Sequence, residues 1–193
     1  VIEGNSKTRD NVIRRNMKVT EGDRFHATNL EKSRAAIERL GFFDEVQVLR
    51  EPDAKNNAMD IRVRVKERMT GSLNASLYAS PGGDGDNRVR FGAKVNYNEA
   101  NLLGRGWAAG IGATIDTPGD PKRQGYQLDT SLTEPSINDG PWSLSLYASY
   151  KLNKDSRFVG EPIELSTSRE LGFGFGREIV EDLRFSLGYA HLN

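Results

Sequence analysis

The sequence predicts two parts of different fold class: a small α+β domain of order β-α-α-β-β over residues 1–68, followed by antiparallel transmembrane β-barrel strands over residues 69–193. Three observations predict this. Hydrophobic spacing runs first at three and four residues and then at two, and after about residue 68 only the period of two remains. Composition changes at the same place. Residues 1–69 hold 15 Lys+Arg, 12 Asp+Glu, 3 Gly and 3 aromatics, and the other 124 residues hold 12, 15, 17 and 13. Finally, the alternation changes character within VKERMTGSLNASLYAS, Val65 to Ser80. Ile61, Val63 and Val65 alternate with Arg62, Arg64 and Lys66, whereas Leu73, Ala75 and Leu77 alternate with Ser72, Asn74 and Ser76. A strand with one face in water fits the first pattern; lipid on one face and a polar lumen on the other fits the second.

In the first part, Val1-Ile2-Glu3 reads as a strand ending at the turn pair Gly4-Asn5. Thr8 or Asp10 is placed to cap a helix carrying Val12, Ile13 and Met17, which Glu21-Gly22-Asp23 breaks. Thr28 to Glu31 fits a capping box, and Leu30, Ser33, Ile37 and Leu40 continue as the stripe of a second helix stopped by Gly41. Phe42 and Phe43 lead into a strand with Val46 and Val48 on one face. Pro52-Asp53 and Asn56-Asn57 turn the chain, and Ala58 to Glu67 returns as a charged alternating strand. Two helices should cover one face of this sheet and leave the other wet.

The second part contains seven alternating segments. The first is Gly71–Ser80 and the second Arg88–Asn98; the others carry Trp107–Ile115, Tyr126–Leu132, Trp142–Leu152, Leu171–Phe175 and Leu183–Tyr189. Connections at 101–106, 136–141 and 180–182 are tight, and those at 81–87, 117–124 and 155–167 are longer and rich in Pro, Gly and charge. Short turns at one end and long loops at the other are the outer-membrane barrel pattern. Tyr97, Trp107, Tyr126, Trp142 and Tyr189 stand at the ends of the apolar faces, as interfacial girdles require. Phe91, Ile111, Leu146, Phe173 and Leu187 lie mid-strand on those faces and should meet lipid. A soluble sandwich would carry more Lys and Glu on the polar face than the Ser, Gly and Asn found here.

Other classes leave little trace. The formal net charge is zero, so no nucleic-acid footprint is expected, and there is no cysteine. His26 and His191 have no ligand neighbours in sequence, so no metal site is expected. Gly172-Phe-Gly-Phe-Gly176 alternates within a strand and lacks the strand-to-helix setting of a phosphate loop. No enzyme and no cofactor are expected. Val1 reads as mid-strand, so the chain reads as part of a longer one.

The runs VIEGNSKTRDNVIRRNM, EGDRF, SRAAIERLGFFDEV and VKERMTGSLNASLYAS, with NLLGRGW further on, closely resemble the BamA family. This is the family of central subunits of the bacterial β-barrel assembly machinery. The resemblance implies a barrel-proximal POTRA domain in the periplasm over residues 1–68 and the first seven strands of a sixteen-stranded outer-membrane barrel over residues 69–193. It also implies a function: folding and inserting β-barrel proteins into the outer membrane of Gram-negative bacteria, without ATP or a covalent step. The implied partners are the outer-membrane bilayer, accessory assembly lipoproteins and unfolded β-barrel clients. Arg14, Arg15 and Glu21, around the helix end and the Glu-Gly turn, are candidate partner-binding residues. Gly71, Ser72, Leu73, Asn74, Ala75 and Ser76 are the candidate lateral-gate strand, pairing weakly with the last strand and templating clients. A TamA-like or two-partner-secretion transporter shares the plan, and a passive porin is the alternative from another class. VKERMTGS and LGFF favour the assembly factor, and a porin has no need of the fused α+β domain.

Overall fold

The structure, a computed structural model, describes residues 1–19, 22, 26–53, 58–81, 89–118, 124–155, 164–180 and 183–193. They form two compact units. The first is Val1–Thr70 together with Ala100–Trp107; the second is Gly71–Glu99 together with Ala108–Asn193.

The first unit has the predicted β-α-α-β-β order: β1 (Ile2–Glu3), α1 (Asp10–Arg14), α2 (Ala27–Arg39), β2 (Phe43–Asp53) and β3 (Ala58–Glu67). The sheet order is β1-β3-β2, with β1 parallel and β2 antiparallel to β3. Val12 and Ile13 of α1, Ile37 of α2, and Phe42, Phe43, Val46, Val63 and Val65 make one buried cluster. Each such side chain stabilises the fold by about 1.5–3 kcal/mol through removal from water. The opposite sheet face is wet, and there Arg62 bridges Glu3 and Glu51, at 3.2 and 3.1 Å. Ser33 sits on the apolar stripe of α2, fully buried. Its hydroxyl donates to the Asn29 carbonyl at 2.7 Å and accepts the Lys18 N–H at 2.8 Å, so a polar residue is tolerated there.

Several local expectations are corrected. Helix α1 spans only Asp10–Arg14 and its N-cap is Arg9, without a side-chain cap bond. Thr8 is therefore not the cap; it is buried and used elsewhere. Met17 lies beyond the helix, packed partly against the core. Helix α2 begins at Ala27 with His26 as N-cap, so Thr28 lies inside the first turn and no capping box forms. Glu31 instead meets Arg34 at 3.2 Å. Gly41 does end α2, at φ +71°. Glu21 and Asp23, the expected helix breakers, lie outside the described residues, as do Asn56 and Asn57.

The second unit is one antiparallel sheet built from β4 (Gly71–Pro81), β5 (Val89–Leu102), β6 (Trp107–Pro118), β7 (Gln124–Glu134), β8 (Trp142–Asp155), β9 (Glu164–Val180) and β10 (Leu183–Leu192). Each strand pairs with its sequence neighbours, in the order β10-β9-β8-β7-β6-β5-β4. The expected faces hold across the register. Leu132, Leu146, Phe173 and Tyr189 form one cross-strand row; Thr130, Ala148, Leu171 and His191 form the next; Leu128, Tyr150 and Arg169 begin a third. Strand β9 takes in the last four residues of the expected 155–167 loop, because Glu164–Thr167 pair with Leu152–Asp155. Tyr189 is also not at the end of its apolar face; it pairs with Phe173 in mid-sheet.

Candidate functional site

The candidate gate strand is β4. It pairs with β5 along its whole length, from Gly71 opposite Glu99 to Pro81 opposite Val89. Its other edge has no partner strand among the described residues. Such an edge presents a row of backbone donors and acceptors that can recruit another strand. Ser72, Leu73, Asn74, Ala75 and Ser76 are all exposed, and Leu73 and Leu77 keep 71% and 86% of their surface. Leu73 and Ala75 share the face of Tyr97 and Val95, and Ser72, Asn74 and Ser76 share that of Asn98, Asn96 and Lys94. A Cβ on Gly71 would come within 2.6 Å of the Tyr97 hydroxyl, so the glycine makes room for that ring.

Two tyrosines stand on the polar face among its Ser, Gly and Asn residues. Tyr78 lies over Gly92, directly opposite it, and Tyr147 lies over Gly172 in the same relation. An aromatic covering a cross-strand glycine restores the packing that the glycine forgoes. Tyr147 also donates to Glu170 at 3.0 Å. The sequence signal was present, a large aromatic among Ser and Gly, but it becomes legible only once register is known. Lys94, Asn96, Asn98, Gln127, Asp129 and Glu170 surround a polar trough of about 390 Å³ on this side.

The five expected lipid-facing residues all fall on the opposite, apolar face: Phe91, Ile111, Leu146, Phe173 and Leu187 are each about half exposed or more. Leu146 and Phe173 are register partners, and Leu187 pairs with Phe175. Cationic side chains lie over aromatic rings on the same face. Arg177 is 5.0 Å from the Trp142 ring, Lys154 is 5.6 Å from Tyr126, and Arg169 is 5.9 Å from Tyr150.

Two of the three partner-binding candidates lie among the described residues. Arg14 is exposed at the end of α1, Arg15 is half-buried with its guanidinium against Gly106, and Glu21 lies outside the described residues. Sequence reading missed a different cluster in the first unit, centred on the loop before α1. The Glu67 carboxylate accepts from Ser6 Oγ at 2.6 Å, from the Lys7 N–H at 2.9 Å and from the Thr8 N–H at 2.6 Å. The Thr8 hydroxyl in turn accepts from Asn101 Nδ2 at 2.8 Å, and Asn101 Oδ1 accepts the Gly106 N–H at 2.8 Å. The Arg9 N–H donates to the Gly104 carbonyl at 2.9 Å. Gly104 sits at φ +70°, where a Cβ would strike the Lys7 carbonyl. Residues 101–106, read from sequence as a tight turn, are thus a fixed part of the first unit.

Burial alone would raise the pKa of Glu67. The hydrogen bonds from Ser6, the Thr8 backbone and hydroxyl, and the Lys7 backbone outweigh it and hold the carboxyl at about 2 rather than 4.5. Because the folded value is the lower one, the stabilisation is present in full above about pH 4.5 and is lost as pH falls from there towards 2. Solvent screening at this half-buried group keeps the effect modest. Glu67→Gln should flatten the acid limb of first-unit stability between those pH values, checked by amide exchange at Lys7 and Thr8. An unchanged acid limb would refute the assignment.

A family model described as POTRA, surface antigen variable number repeat, matches residues 1–68. The chain is 35% identical over 143 residues to an outer membrane protein assembly factor BamA of Nitratidesulfovibrio vulgaris, covering 74% of this chain and 17% of that protein. It is 42% identical over 103 residues to the BamA of Neorickettsia risticii, covering 53% of this chain and 13% of that one. The crystal structure of Haemophilus ducreyi BamA lacking POTRA domains 1–3 superposes over 99% of this chain and 34% of its own, with TM-score 0.72 and 25% identity. CdiB from Acinetobacter baumannii superposes over 100% of this chain and 38% of its own, with TM-score 0.68; at 14% identity it shares the fold alone. The chain thus spans a minor share of these relatives; the POTRA match covers residues 1–68, the alternating sheet follows from Gly71, and the Nitratidesulfovibrio BamA identity covers 74% of the chain. It belongs to the BamA family of outer-membrane protein assembly factors.

Proposed function

We propose that this chain supplies the membrane-adjoining part of a machine that folds and inserts β-barrel proteins into the bacterial outer membrane. In this reading the first unit lies in the periplasm and receives unfolded clients and accessory lipoproteins, with Arg14, Arg15 and Glu21 as the candidate contacts. The apolar face of β4–β10 meets lipid, and no covalent chemistry is involved. The feature that supports the reading is the run of short side chains on β4, Ser72, Asn74, Ala75 and Ser76, beside the edge turned away from β5. Main-chain pairing to that edge recognises an incoming strand with little demand on its sequence, which is what a machine for many clients requires. Short side chains make a weak permanent seam there and leave the edge easy to open.

The test is a reversible lock. In the full-length protein, a cysteine at Asn74 is paired with one on the strand that closes the barrel. Oxidation should abolish client insertion and reduction should restore it, with the barrel folded throughout. Normal insertion by the locked protein would sink the templating mechanism. Secretion of a single cognate substrate, with no effect on other barrels, would favour the transporter reading instead.

A further inference from the structure

On the apolar face, the row Thr130–Ala148–Leu171–His191 is low at one end, because threonine and alanine pair there. The row beside it, Leu132–Leu146–Phe173–Tyr189, stands higher. The result is a shallow depression of about 550 Å³ lined mainly by these residues. One end of it is basic. His191 lines the depression, and Arg169 occupies the next row, diagonal to His191 because Arg169 pairs with Asn193 through both backbone hydrogen bonds, at 2.8 and 2.9 Å. Diagonal neighbours on one sheet face stand about 7–8 Å apart, within joint reach of one phosphate. Tyr150 lies under the Arg169 guanidinium and leaves its N–H edge available to an acceptor. Among the described residues, none of the three rows carries a side-chain carboxylate.

From this we infer that the depression is a binding site for one anionic diacyl phospholipid, its acyl chain along Ala148, Leu146 and Phe173 and its phosphate at Arg169 and His191. The charge asymmetry selects the occupant. A zwitterionic lipid would bring a cation towards Arg169, and a second copy of this sheet would set basic row against basic row. Arginine and a ring N–H match phosphate oxygens, while the aliphatic floor matches a chain. The inference rests on this face meeting lipid, and goes beyond it in naming a headgroup and a place.

The experiment uses the full-length protein in nanodiscs of equal phosphatidylglycerol and phosphatidylcholine, extracted into mild detergent and weighed intact with retained lipids. Wild-type protein should retain phosphatidylglycerol about tenfold over phosphatidylcholine. Arg169→Gln should bring that ratio near one, and Ala148→Phe, which fills the floor without changing charge, should cut total retention. Lys94→Gln, on the polar face, should change neither. Equal retention of both lipids by wild type, an unchanged ratio in Arg169→Gln, or a lipid-free dimer would overturn the site. Failure to enter nanodiscs at all would overturn the membrane reading beneath it.

Discussion

Leu146→Arg should lower the yield of membrane-inserted protein more than tenfold, whereas Ser145→Arg, one residue earlier, should leave it within about twofold. The two side chains leave the same strand in opposite directions. Leu146 is in the apolar row with Leu132 and Phe173, and Ser145 faces the polar side, where Thr133 donates to its hydroxyl at 3.1 Å. An arginine on the lipid face near the bilayer midplane costs about 2–4 kcal/mol. Behind Ser145 stands Gly174, which leaves space for a longer side chain. The readout is the protease-resistant, folded fraction recovered from membranes. Equal tolerance of the two arginines would show that the face assignment is wrong for this strand and, through the shared rows, for its neighbours.

The second large effect belongs to the first unit. Asn101→Ala removes the donation to Thr8 and the acceptance from the Gly106 N–H. Asn101 is 1% exposed and Thr8 is 2% exposed, so water cannot readily replace the lost partner. A buried donor left without an acceptor costs about 1–3 kcal/mol, and here one donor is orphaned and one acceptor loses its bond. A loss of about 3 kcal/mol corresponds to exchange of the Arg9 and Gly106 amides faster by roughly two orders of magnitude. These two amides report on the same opening, since Arg9 bonds Gly104 and Gly106 bonds Asn101. The amide of Val63, bonded to the Val1 carbonyl on the far side of the sheet, should change much less. Uniform acceleration at all three sites would mean that the whole unit had been weakened, and no change would mean that the turn is not held by Asn101.

What was legible in the sequence was periodicity and composition. The alternation of Leu144, Leu146 and Ala148 with Ser143, Ser145 and Tyr147 states two faces whatever the neighbouring strands are. The stripe of Leu30, Ser33, Ile37 and Leu40 states a helix in the same way. The misread positions share another character: their role depends on a residue far away in sequence. Thr8 sits just before an apolar run, which is where a cap belongs, and only the folded chain shows Asn101 claiming its hydroxyl. Thr28 and Glu31 have capping-box spacing, but the helix had already begun at Ala27. Glu164 to Thr167 read as the end of a long loop, yet their backbone pairs with β8 regardless of side chain. For the candidate site, the small residues of β4 were visible from the start. The Tyr147–Gly172 pairing, the low row at Ala148 and the basic end at Arg169 and His191 all wait on register, which no single strand encodes.

The bond between Thr8 and Asn101 joins positions separated by 93 residues, and this has a consequence for the order of events during synthesis and export. A chain delivered from its N-terminus presents residues 1–70 before 100–107, so the helices and three-stranded sheet can collapse early while the Glu67–Thr8 loop still lacks its last partner. The Ala100 N–H bonds the Thr70 carbonyl at 3.1 Å, at the point where the β4–β5 ladder begins. Zipping that hairpin therefore carries Asn101 to Thr8 across a loop of about thirty residues, and further lengthening of such a loop adds cost only logarithmically. The first unit is completed by its own late segment, residues 100–107, so the amides of Arg9 and Gly106 should gain protection only after that segment has arrived.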